Sequence, residues 1–95
     1  DILTPLEPMG AVFRFTPGPR LAEPVRSEAQ VRALQPCAPE RSLGFVGETV
    51  RGVHAELAGA LPVLGFAGAP FTLAAFLIEG QSPMRDMGAT LHMAR

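Results

Sequence analysis

Apolar and polar positions recur along the chain in patterns that define a small set of elements. The first ten residues, Asp1 to Gly10, carry Pro5, Pro8 and Gly10 and read as a loop that follows a strand ending at Leu3. Ala11 to Phe15 alternates, with Phe13 and Phe15 on one face and Val12 and Arg14 on the other, which predicts a short half-buried strand. Thr16-Pro17-Gly18-Pro19 forces a turn. Ser27-Glu28-Ala29-Gln30 fits a capping box, so a short helix follows to about Leu34 and ends at Pro36 and Pro39. The longest predicted helix runs from about Pro39 to Ala58, with Val46, Val50, Val53 and Leu57 in one apolar stripe and Glu48, Arg51 and Glu56 largely off it. Gly59 supplies its left-handed stop.

Pro62 to Phe66 is a continuous apolar run between turn signals, the pattern of a parallel strand buried on both faces. Ala67-Gly68-Ala69 makes the next turn. Pro70 opens a helix through Ile78 that stops near Gly80, and Ser82-Pro83 opens another with Met84, Met87 and Leu91 along one face. Helices feeding a buried strand point to an α/β protein with parallel strands. One or two strands do not make a parallel sheet, so the remaining strands are expected from chain outside residues 1–95. The same expectation follows from an opening at Asp1 and a close at Arg95 within a helical pattern.

Composition narrows the class. With 95 residues the chain makes at most one small domain, since domains usually run about 100–150 residues. Apolar residues are 47% and charged residues 18%, which excludes a disordered tail. Eight scattered arginines against nine acids leave a net charge of −1, the wrong balance for a nucleic-acid binder. A single cysteine, Cys37, excludes a disulfide framework. No run reaches the roughly 20 apolar residues of a membrane span and no signal peptide is visible, so a cytoplasmic location is expected.

In parallel α/β folds ligands bind at the carboxyl ends of strands. Two segments qualify: Asp1 with its proline-rich loop, and the turn Gly65-Phe66-Ala67-Gly68-Ala69-Pro70, whose small residues let a ligand approach the backbone. The turn lacks the G-x-G-x-x-G spacing of a dinucleotide site. Asp1 serves either as a turn or capping residue or as an acid in a site. Glu79 caps or pairs locally. Neither His54 nor His92 has a neighbour at metal-ligand spacing, and Cys37 has no nearby His, so no metal and no cysteine nucleophile is expected. The residues alone lead to part of a parallel α/β enzyme.

The segments Asp1-Ile2-Leu3-Thr4-Pro5-Leu6-Glu7-Pro8-Met9-Gly10, Phe13-Arg14-Phe15-Thr16-Pro17-Gly18-Pro19, Gly65 to Leu73 and Leu77-Ile78-Glu79-Gly80 resemble the uroporphyrinogen decarboxylase family along nearly the whole chain. The resemblance implies that residues 1–95 are a piece, about the second quarter, of a single (β/α)8 TIM barrel of roughly 250 residues or more. It implies a cytoplasmic homodimer that uses no cofactor and converts a small-molecule substrate, uroporphyrinogen III, to coproporphyrinogen III and CO2. It also implies that the segment alone does not turn over. In the family the Asp opening the D-I-L segment, here Asp1, accepts hydrogen bonds from the substrate's pyrrole N–H groups, while Phe66 and Gly68 line the cleft. The family's Tyr in the following helix falls on Phe76, so its hydroxyl is missing from this chain. Alternatives are a related methyltransferase that acts with a corrinoid protein and zinc, or an inactive remnant.

Overall fold

The computed structural model describes residues 1–83 and 87–94. Asp1 to Leu3 form no strand. The chain turns at once, Thr4 N–H donating to the Asp1 carbonyl (3.2 Å), and enters a short 3-10 helix at Thr4–Leu6. The Asp1 side chain explains the difference: its Oδ1 accepts from the Leu3 N–H (2.8 Å), a local bond that competes with strand pairing.

The sheet is a two-stranded antiparallel hairpin, β1 (Phe13–Phe15) and β2 (Pro19–Leu21), with Phe13 opposite Leu21, Arg14 opposite Arg20 and Phe15 opposite Pro19. The parallel strands expected from the sequence were to be completed by chain outside residues 1–95, and among the described residues the sheet is this antiparallel pair alone. The three residues Thr16 to Gly18 can only reverse the chain; a parallel neighbour needs a long crossover. Pro19 hides β2 from a pattern reading, yet it is tolerated at a strand's first residue, where no ladder N–H is required.

Helix α1 (Glu28–Ala33) is capped as the sequence predicts: Ser27 Oγ accepts from Gln30 N–H (3.2 Å). Gln30 reaches one residue further back than in the usual box, accepting from Arg26 N–H (2.8 Å). The single helix expected over Pro39–Ala58 is two, α2 (Pro39–Ser42) and α3 (Gly44–Leu57), separated at Leu43 (φ −122°, ψ 19°). Gly44 makes the break cheap, because glycine is about 1 kcal/mol less favourable than alanine inside a helix. Two left-handed residues end α3, Ala58 (φ 48°) and Gly59 (φ 83°), where one was expected.

No strand forms at Pro62 to Phe66; no backbone hydrogen bond is made there among the described residues. A parallel strand is defined by neighbours on its edges, and the hairpin offers none at this place. Helix α4 (Pro70–Glu79) follows with Pro70 at its first position and ends in left-handed Gly80 (φ 73°), as expected. Helix α5 (Gly88–Ala94) starts later than Ser82-Pro83 predicts. Met87 precedes it with φ 43°, a backbone angle a continuing helix cannot use, and Met84 lies outside the described residues.

Leu3, Leu6, Ala11, Val25 and Leu77 form the core, flanked by Phe13, Leu21, Leu73 and Phe76. Valines 46, 50 and 53 of α3 are each more than two-fifths exposed and take no part in it. What ties α4 to the first quarter of the chain is its C-terminal end. Leu21 N–H donates to the Gly80 carbonyl and Val25 N–H to the Leu77 carbonyl (both 2.8 Å), and Arg26 Nε donates to the Ile78 carbonyl (3.0 Å). Gly80 is buried against Pro24, whose Cγ would lie 2.6 Å from an added Cβ. Gly80→Ala therefore meets a left-handed penalty of roughly 1–2 kcal/mol and an overpacking cost of about 1–3 kcal/mol. A lowered urea midpoint corresponding to about 2–5 kcal/mol is expected.

Candidate functional site

An open groove of about 640 Å³ runs between the Asp1 turn, the first two turns of α3 and the segment leading into α4. One wall is Asp1, Ile2, Thr4 and Pro5. The opposite wall is Leu43, Phe45, Val46 and Val50. The floor and far end are Leu64 to Gly68 with Leu73. The break at Leu43 turns that side chain to the groove, and the valine stripe of α3 supplies the apolar wall. Among the described residues Asp1 is the only ionisable side chain on this lining; Thr49 Oγ1 is already engaged, donating to the Phe45 carbonyl (2.8 Å).

Asp1 is exposed, and one carboxylate oxygen is held by the Leu3 N–H. Among the described residues the other oxygen has no hydrogen-bond partner. An anchored carboxylate with a free oxygen on an otherwise apolar lining is suited to accept hydrogen bonds from N–H donors of a bound molecule. Phe66 is 78% exposed, with its ring available at the groove. Gly68 is half-buried, and its bare Cα lets Leu73 and Ile2 approach: an added Cβ would lie 2.8 Å from Leu73 Cδ2 and 3.4 Å from Ile2 Cβ.

Of the residues singled out by sequence, Asp1, Phe66 and Gly68 are thus brought together. Phe76 is placed elsewhere. It is on the core side of α4, in an edge-to-face contact with Phe13 (centroids 6.3 Å apart, planes at 79°). Residues the sequence reading missed are Leu43, Phe45 and the groove side of the valine stripe. The 3.6-residue period showed that a stripe exists, but not what it faces. His54 and His92 lie on α3 and α5, and among the described residues no three His, Cys, Asp or Glu side chains come together. No helix of the described residues is long and apolar enough to cross a membrane.

Glu79 is absorbed by structure. Its Oε2 accepts from the Thr90 hydroxyl (2.6 Å) and the Thr90 N–H (2.7 Å), so the last residue of α4 caps the first turn of α5. Those two bonds, with smaller help from Arg26 and the Ala89 N–H, outweigh desolvation and hold the carboxyl below the usual glutamate range.

Taken together, the residues define a mixed α/β protein segment with a small-molecule groove carrying one carboxylate. The chain belongs to the uroporphyrinogen decarboxylase (URO-D) family, whose model matches residues 1–95. Uroporphyrinogen decarboxylase of Sorangium cellulosum (strain So ce56) is 52% identical over 82 residues, 84% of this chain and 24% of that protein. The Geobacter sulfurreducens enzyme of the same name is 48% identical over 81 residues, 85% of this chain and 24% of the relative. That of Geobacter sp. (strain M21) is 48% identical over 93 residues, 98% of this chain and 27% of the relative. The chain spans about a quarter of the length of these curated relatives.

The Glu79 cap makes a pH-dependent contribution. Because the folded carboxyl binds its proton less tightly than the unfolded one, the contribution is complete above the ordinary glutamate range and is lost as pH falls through the lower folded value. Glu79→Gln is expected to reduce stability at neutral pH, and the gap to wild type should close on acidification. Urea denaturation at a series of pH values checks this.

Proposed function

We propose that this chain is part of a uroporphyrinogen decarboxylase, and that its groove forms one side of the cleft for uroporphyrinogen III. The observation that carries this is Asp1 as the one ionisable side chain among the described residues that line an apolar groove, within a chain matched by the family along its whole length. The whole enzyme, on this proposal, is a cytoplasmic homodimer without a cofactor. Its catalytic domain is a (β/α)8 barrel in which further chain pairs with Pro62 to Phe66. The unpaired backbone at Pro62 to Phe66 supports the barrel.

The chemistry asks for such an acid. Losing CO2 from an acetate side chain leaves an electron pair that needs a sink. A pyrrole protonated on carbon becomes one, with the positive charge largely on its ring nitrogen. As the bond to the carboxyl carbon breaks, its electrons flow into the ring, CO2 departs, and a proton taken up by the side-chain carbon leaves a methyl group. Return of the ring proton restores the pyrrole. Four such events convert uroporphyrinogen III to coproporphyrinogen III. A fixed carboxylate facing the pyrrole N–H groups stabilises the cation through a preorganised charge, and the apolar walls strengthen that effect by excluding water. Asp1 takes this role, with Phe66 and Gly68 lining the cleft.

In the full-length enzyme Asp1→Asn is expected to lower kcat on the order of a hundredfold or more, with the fold retained. Coproporphyrin formed from uroporphyrinogen III, read after oxidation of the product, measures it; undiminished turnover would sink the assignment. Position 76 is where the resembling family has a tyrosine that contacts substrate. Phe76 packs on Phe13 away from the groove, so Phe76→Tyr in the full-length enzyme is expected to leave kcat within about threefold; a rise of about tenfold or more, the worth of a hydrogen bond of roughly 1.5–3 kcal/mol to a charged group, would show that the hydroxyl reaches the substrate. An unchanged kcat would show that the ring stays against Phe13 and takes no part.

A further inference from the structure

We infer that Phe45 is a further catalytic residue of the groove, its ring set against the positively charged pyrrole that forms during decarboxylation; this rests on the reading of the groove proposed above. Among the described residues two aromatic side chains lie on the lining, Phe45 and Phe66. They are held differently. Phe66 belongs to the stretch Pro62 to Phe66, which makes no backbone hydrogen bond among the described residues. Phe45 stands in the first turn of α3, and its carbonyl accepts from the Thr49 hydroxyl one turn further on (2.8 Å), so its backbone is fixed. Its side chain is 56% exposed and among the described residues packs on no other ring, whereas Phe13 and Phe76 are committed to each other.

Phe45 also lies beside the Asp1 turn. Thr4, Leu43 and Phe45 border both the groove and a smaller hollow of about 220 Å³, so they form the partition between the two. Thr4 in turn donates its N–H to the Asp1 carbonyl (3.2 Å). The ring and the carboxylate thus share one end of the groove. The face of an aromatic ring carries partial negative charge and attracts a cation within about 6 Å of its centre. It has little such pull on a neutral pyrrole. The attraction therefore appears when the substrate ring is protonated, and it raises kcat more than it tightens substrate binding. A second carboxylate would stabilise the cation too, but it would repel the substrate's own carboxylates before reaction. A phenyl ring on a rigid helix supplies preorganised stabilisation with no net charge, beside the one carboxylate on the lining.

The test is made in the full-length enzyme, with fluorinated phenylalanines placed at position 45 alone. Each added fluorine withdraws charge from the face of the ring while its shape barely changes. From none to three fluorines kcat is expected to fall stepwise, by roughly three- to thirtyfold in all, with KM held within about threefold. Phe45→Leu should show a loss of the same order, and Phe45→Tyr should keep kcat within about threefold of wild type. The same series at Phe15, exposed on β1 and off the groove lining, should be flat. A flat series at position 45, a loss that does not follow fluorine number, or a loss confined to KM would overturn the inference. The fluorinated rings are nearly isosteric, so the series remains decisive even if Phe45→Leu does not fold. Asp1→Asn separates the two claims. A flat series with Asp1→Asn impaired sinks the role of Phe45 alone; a graded series with Asp1→Asn at wild-type turnover sinks the role of Asp1 and keeps that of Phe45.

Discussion

The structure depends on how the end of α4 is closed. A helix leaves its last carbonyls without partners in its own ladder. Here Leu77, Ile78 and Gly80 offer theirs to Val25, Arg26 and Leu21, a run of chain more than fifty residues earlier. The left-handed turn at Gly80 aims the carbonyl there, and the absence of a side chain lets Pro24 lie against it. This docking brings Leu77 onto Leu3, Leu6, Ala11 and Val25. Two further arrangements follow from the orientation it gives α4. At the helix start, Leu73 meets Ile2 and Gly68 beside the groove. At its end, Glu79 reaches Thr90 and caps α5.

Elements whose causes are local were legible in the sequence. Ser27 and Gln30 cap α1 three residues apart, Pro70 stands where a helix start wants no N–H, and Gly80 supplies the angle that ends α4. Elements whose causes are tertiary were not. Pro62 to Phe66 has the composition of a buried strand but no partner among the described residues, and a strand exists only as one side of a pair. The Asp1 side chain diverted its own segment into a turn. Pro19 obscured β2, which is held by the register of a short hairpin and not by the propensity of its residues.

The candidate site divides in the same way. Asp1, Phe66 and Gly68 stood out because each lies at a turn beside an apolar run, and the structure collects all three on one groove. Its second wall comes from Leu43, Phe45, Val46 and Val50, whose helical spacing identified a face but not its neighbour. Phe76 shows the limit of counting along a motif: position on a helix is set by sequence, whereas the ring's company, here Phe13, is set by how the helix docks. The resulting groove sets one carboxylate beside apolar side chains.

The same docking orders events during synthesis. Leu3, Leu6, Ala11 and Val25 leave the ribosome before Leu77, a side chain that packs on them and comes fifty-two residues after Val25. At roughly 5–20 residues per second, that is an interval of about three to ten seconds in which an apolar surface has been made and its lid has not. Helices α1 to α3 bury none of their own side chains, and Leu34, just past α1, covers the surface only in part. Burial of this surface is therefore completed only once α4 has been made.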